Sequence, residues 1–437
     1  MRAVQKQPEA VKFEPLLELI QERLCQTSSE KLAQLRGQHS GEPSIYARLE
    51  HDMIPALSGK SLDRINKRML RLLLPLLGEI GDGKTIDLVG WIRHAITVVS
   101  TDAIYGDLNP FKNPLVEDAF WELESNLGPL LINIAPWLTA SKAWNARKLI
   151  GDAFRDYFDL SGHEDSSKLL AVRYRHFHNT GFTREEIAYS EIPMMLGLLA
   201  NTIPAAFWFH FELFSRPKLF QEVREEIERK ALRIAPDGTH AIDLIDLRND
   251  CPLLFAAYQE ALRTRSTTVP VRFVTKDLVL ADKYLLKAGS MLCTPAKQLG
   301  RDSSAWGTSA DEFDERRFLN CIATSESPRN DKKNIRRTGS FMVFGVTPVI
   351  CPGRHFATNE TLALVAMMAL RYDICPVAQV WNAPPRRNLV IVGTTCPIDR
   401  PFYVNLRMRQ KYNGTSMREV GEGRTIFLLP GTAIDDS

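Results

Sequence analysis

The chain has little net charge of either sign. Lys and Arg total 55 against 52 Asp and Glu, a balance of +3, which points to neither nucleic acid nor an acidic partner. It has no patterned cysteine. Seven cysteines, an odd number, lie scattered without a repeating spacing, which excludes a disulfide framework and fits a reducing compartment. No internal repeat or low-complexity block appears. The opening stretch, MRAVQKQPEAVKFEP, is polar and shows no apolar region of a secretory leader. What is present is ordinary globular composition, 44% hydrophobic and 24% charged, over 437 residues, enough for a large core.

Most of that length reads as helix. The periodicity predicts helices over Glu14–Cys25, Ser29–Arg36, a segment capped by Ser61, Asp87–Tyr105, about 115–132, about 141–160 and Lys168–Asn179. In the Ser61 segment Leu62, Ile65, Met69, Leu72, Leu73 and Leu76 share one face. Thr183 and Glu186 form a capping-box pattern at the head of the longest apolar stretch, Thr183 to Phe214. That stretch is long enough for a membrane span, but it holds Asn201, Thr202, Pro204 and His210, so it is expected as the buried central helix. Pro204 cannot bond the Ala200 carbonyl and predicts a kink or widening there, beside two polar side chains. Short strand-like runs occupy Val271–Val274, Leu278–Leu280 and Tyr284–Leu286, and Asn388–Val392 with Phe402–Leu406 read as a hairpin. Residues 411–437 show no clear pattern and are expected as an irregular tail behind a single domain, 1–410.

The stretch Phe344 to Ala357, FGVTPVICPGRHFA, concentrates the chemistry. Cys351 precedes an apolar helix with Pro352 at its expected first position, where a missing N–H costs nothing. Free N–H groups and the positive helix end there are expected to lower the thiol pKa. Without a second Cys or His at zinc spacing, such a thiolate suits a single-point ligand, and Gly345 and Gly353 permit a tight loop beside a flat group. A buried structural cysteine remains the other reading of these residues. Glu260 and Arg263 lie at i, i+3 among apolar neighbours, a pair that needs further partners if buried.

The cysteine stretch resembles the haem-binding signature of the cytochrome P-450 family through Phe344, Gly345, Cys351 and Gly353. Thr347 stands where the family usually has glycine, and Val349 where it usually has a basic residue. The ANTIP run at 200–204 resembles the branch of sterol 7α-hydroxylases and prostacyclin synthase. Glu260, Arg263 and Arg317 match the family's structural triad, and Arg272 matches its propionate-binding residue. The resemblance implies a mostly α fold with a small β portion. It implies haem b with Cys351 as axial iron ligand, Thr202 and Asn201 handling protons, and a pocket including Leu196, Leu199, Ala200 and Val269. The implied reaction inserts one O2-derived oxygen into an apolar substrate (polyketide, terpenoid or sterol-like, in the style of fungal secondary metabolism), with NADPH electrons delivered by a reductase to a monomer. An isomerase of prostacyclin synthase type, or a haem-binding paralogue without catalysis, stays open. The basic residues Lys332, Lys333, Arg336, Arg337 and Arg354 offer a surface for an acidic reductase. Relative to microsomal members, the chain is expected to lack the N-terminal anchor that places them at the endoplasmic reticulum. It is also expected to lack the first strands, leaving the strand around Arg272 with an open edge.

Overall fold

The computed structural model describes residues 2–35, 45–234, 240–319, 340–346, 349–385, 393–410, 418–420 and 426–429. The basic cluster 332–337, Thr347 and Asn388–Val392 lie outside them.

Helices form most of the described chain, and they assemble around Arg184–Phe214. This central helix starts with both halves of the capping box made: Thr183 accepts from the Glu186 backbone, and the Glu186 carboxylate accepts from the Thr183 backbone. It runs on through Pro193 and Pro204 without a break in assignment. Nearly every residue from Thr202 to Phe214 is buried, so the apolar run is a core helix and packs against its neighbours on all sides. Inside it, Glu191 accepts from Arg173 Nε (3.1 Å) and Tyr105 Oη (3.0 Å), tying the helices Lys168–Asn179 and Leu88–Tyr105 to its first half. The last core helix, Arg354–Arg371, packs across the central helix and is closed by Arg224, whose guanidinium donates to the Ala369 and Tyr372 carbonyls at 2.7 and 2.8 Å. A cation at a helix C-terminus answers its free carbonyls and dipole.

Several boundaries differ from expectation for local reasons. Ser61 lies inside its helix, which begins at Gly59 after Ser58, and Asp87 caps the next one by accepting from Val89. The 115–132 segment is two helices, Pro114–Ser125 and Leu127–Ile132, interrupted at Asn126.

The strands depart further. Val271–Val274 is not an open edge: Val11–Lys12 pairs on one side (Val11 with Val274, Lys12 with Phe273) and Met291–Cys293 on the other. The N-terminal segment thus supplies a partner that the sequence reading took to be missing. Tyr403–Met408 ladders with Tyr372–Pro376 and Lys84–Asp87, with Val404 and Leu406 facing the core. Arg418–Val420 and Ile426–Leu429, inside the expected irregular tail, pair with each other and then with His240–Asp243.

The core also holds one isolated acid. Glu360, on the last helix, is buried; Ser100 donates to one carboxylate oxygen, and the other has no partner among the described residues. Burial pushes its pKa from 4.5 up to about 8, with the Ser100 bond pulling the other way. The folded state therefore keeps the proton through a window, about pH 4.5 to 8, in which the unfolded chain releases it. Stability is full below that window and falls as pH rises through it. Glu360→Gln is expected to flatten this slope and to stabilise the protein at pH 8, read as urea midpoints at pH 5 and pH 8. An unaltered protein with equal midpoints at the two values overturns the assignment.

Candidate functional site

The cysteine loop is built by a two-strand hairpin, Gly345–Val346 against Val349–Ile350, with Ile350 opposite Gly345. Gly345 has φ +80°, and a Cβ there would sit 2.5 Å from the Val349 carbonyl, so the turn requires glycine. The Cys351 N–H donates to the Phe344 carbonyl at 2.8 Å, which pins the cysteine to the hairpin's base. Phe344 packs against the main core. The helix itself starts at Arg354 with Gly353 as its cap, so Pro352 precedes the helix and does not open it. A Cβ on Gly353 would come within 3.9 Å of the Cys351 sulfur.

Cys351 is exposed at the end of this hairpin. Its pKa lies above the ordinary thiol value: although the residue keeps exposed surface, the protein packed around the thiol desolvates it, outweighing the N–H groups of Gly353 and Arg354 and the Arg354 charge. This corrects the expectation of a lowered thiol pKa. The helix end contributes as foreseen, but desolvation is larger.

Beneath the loop the last helix meets the helix Pro252–Arg265. Tyr258, fully buried there, bonds Thr358 and Thr361, and burial pushes its pKa up to about 12. Two residues on, Glu260 and Arg263 are completely buried. All five Arg263 N–H groups are used: on Glu260 (2.6 and 2.7 Å), and on the carbonyls of Gly300 (2.5 Å), Ala310 (2.6 Å) and Glu312 (2.9 Å). Arg317 joins through Nε to Glu260 at 3.1 Å and holds the Trp306 and Ser309 carbonyls. The structure thus brings the three charges into one network that fixes residues 300–317 against the helix.

Arg272 lies at the side of a cavity of about 220 Å³, with Leu292, Thr294, Met342 and Val349 among its walls and the segment Val4–Glu14 closing it. Its guanidinium stacks over Phe13 at 4.8 Å and bonds the Val271 carbonyl. Burial lowers its pKa, partly offset by Glu14.

In the central helix, Thr202 is buried and donates to the Leu198 carbonyl at 2.9 Å. Asn201 turns outward: its carboxamide oxygen accepts the Thr394 N–H at 2.7 Å. The Thr394 carbonyl accepts from Thr267 N at 2.9 Å, and Ser266 bridges Thr395. The loop from Gly393 to Cys396 opens the stretch GTTCPIDRP, which the sequence reads only as the turn of a hairpin, with no functional signal. Of the expected pocket residues, Leu196 and Leu199 lie in the core, Val269 is exposed, and Ala200 borders a separate small cavity with Arg93, Trp121 and Pro397.

A helical domain that presents one cysteine from a glycine-walled loop, over a doubly arginine-clamped acid, is the framework of a haem-thiolate protein. A model of the cytochrome P450 family matches residues 53–396. The chain is 38% identical over 440 residues to the cytochrome P450 monooxygenase nodJ of Hypoxylon pulicicidum, covering 98% of this chain and 83% of that one. It is 30% identical to a cytochrome P450 monooxygenase of Gibberella zeae, over 72% of this chain and 60% of the relative. It is 25% identical to cytochrome P450 7A1 of Rattus norvegicus, over 59% and 52%. The chain belongs to the cytochrome P450 family, and its class is that of a monooxygenase.

The family implies haem, and the residues present fit it. Cys351 keeps exposed surface next to Gly353, and the half-buried Arg272 has donors left beyond the one carbonyl it bonds among the described residues, suited to a carboxylate.

Proposed function

We propose that the chain inserts one O2-derived oxygen atom into an apolar small molecule of polyketide, terpenoid or sterol-like type in fungal secondary metabolism, using NADPH electrons from a separate reductase. The observation that carries this is the exposed Cys351 at the end of a hairpin whose close approach at Gly345 requires glycine. Support for the reaction comes from the fungal relatives named as monooxygenases, at 38% and 30% identity.

In this reading Cys351 holds the haem iron as thiolate and Arg272 holds a propionate. The haem, when bound, supplies the chemistry that activates O2, and electron donation from thiolate favours O–O cleavage. Phe344, Gly345 and Gly353 keep the loop narrow enough for the flat group to approach. Thr202 holds a proton at its hydroxyl. In the structure that hydroxyl is bonded to Leu198, and its oxygen keeps lone pairs free to accept from water. Val269 and Ala200 are wall residues for the substrate.

The reading is tested by substrate-dependent NADPH and O2 consumption together with the reduced carbon-monoxide spectrum. Thr202→Ala is expected to keep haem and substrate binding while product formed per NADPH falls about 100-fold, the lower range for a lost proton relay. The electrons then appear as peroxide. Unchanged coupling removes Thr202 from proton delivery. Turnover without NADPH or O2 would place the enzyme among the isomerases instead.

A further inference from the structure

Asn201 sits beside Thr202, yet its bonds lead away from it. Thr394 N–H can only donate, so the oxygen of the Asn201 carboxamide must face it, and the NH2 must face the other way. There it meets the Gly197 carbonyl, one turn back on its own helix, at 3.4 Å. Neither atom is a group that titrates, and the acceptor is already committed to a loop 193 positions away in sequence.

Thr394 O takes the N–H groups of Thr267 and Thr268 at 2.9 and 3.3 Å, and Ser266 Oγ at 3.1 Å. Two helical turns beyond Asn201, Trp208 Nε1 donates to Cys396 O at 2.9 Å. The hydroxyls of Thr267 and Thr395 are buried without partners among the described residues, so they do not fasten the junction. Two side chains of the central helix, Asn201 and Trp208, thus hold the loop's backbone, and the Thr394 carbonyl in turn carries the Ser266–Thr268 turn.

We propose that Asn201 is a positioning residue. Its carboxamide latches the Gly393–Cys396 loop to the central helix and, through the Thr394 carbonyl, fixes the Ser266–Thr268 turn and with it the following Val269, the substrate-wall residue proposed above. This deepens the function proposed above and rests on Val269 lining the pocket. It gives Asn201 no part in proton delivery, contrary to what the family resemblance implied.

The test is amide hydrogen exchange on the haem-loaded protein, with no turnover, followed by substrate titration. In the unaltered protein the Thr394 N–H is expected to be protected. In Asn201→Ala it should exchange about tenfold or more faster, with Thr267 and Thr268 following, because a single buried hydrogen bond is lost. Substrate affinity should fall about tenfold, while product formed per NADPH keeps its ratio. Asn201→Asp should restore protection and affinity, since a carboxylate also accepts from N–H. Open-loop exchange of Thr394 in the unaltered protein overturns the latch without any variant. So does an alanine variant with Thr394 still protected but product per NADPH collapsed, which returns Asn201 to proton work. Exchange is read without turnover, so it stands apart from whether the substrate is oxygenated.

Discussion

Cys351→Ala removes the thiolate-type carbon-monoxide spectrum altogether, while Cys293→Ala and Cys375→Ala leave it intact. The expectation rests on position. All three cysteines are exposed, but Cys293 lies in the strand Met291–Cys293 and Cys375 in Tyr372–Pro376, each committed to a ladder. Only Cys351 follows a hairpin whose glycine turn admits no side chain. Desolvation holds its thiol pKa high, so the free thiol should react slowly with alkylating reagents at neutral pH despite its exposure. In the proposed reading iron would supply the charge that makes the thiolate, because a coordinating thiol is deprotonated by its metal. Haem loading should therefore release a proton and abolish alkylation of Cys351, read by mass spectrometry of the modified peptide. A Cys351→Ala protein that keeps a thiolate-type spectrum would remove the cysteine from its assigned role.

Glu260→Leu is expected to be the most destabilising single change in the described core. It strands Arg263, with no exposed side-chain surface, and withdraws the acceptor of Arg317 Nε and of the Asp314 N–H. Breaking a buried pair from one side costs about 3–5 kcal/mol, since the remaining charge has no water to turn to. The measurement is the guanidinium midpoint with haem retention followed in parallel. Adding Arg263→Met should recover only part of the loss, because the carbonyls of Gly300, Ala310 and Glu312 then lose their donor. A single variant within 1 kcal/mol of the parent (about 1 kcal/mol being typical of an ordinary mutation) would show the network to be dispensable.

Features set by neighbours in sequence were legible. Lys168–Asn179 matches its predicted span, and the Thr183–Glu186 box caps the helix it heads. Both depend on spacing of three or four residues. The helical fold and the family were legible because apolar periodicity and short motifs carry them. Strand partnership was not. The strand Val11–Lys12 is two residues long and has no periodicity to read, and the ladder of Tyr403–Met408 joins segments from both ends of the chain. The bonds of Asn201 were hidden for the same reason: the sequence shows an amide next to a threonine, but not the backbone that will face it. The Cys351 pKa required the balance between a local dipole and a long-range apolar environment, and only the first is written locally.

The pairing of the N-terminal segment with Val271–Val274 has a consequence for the order in which the molecule assembles. Thr275 and Ala10, bonded at the end of this pair, are 265 positions apart. Joining such distant points in an unfolded chain costs about 5 kcal/mol of loop entropy by the logarithmic rule. A two-residue ladder does not return that much. Once the helix Glu14–Arg23 has docked against the same strand, the remaining loop is only a few residues and the cost nearly vanishes. The segment that walls the Arg272 cavity is thus expected to close only after that helix has docked.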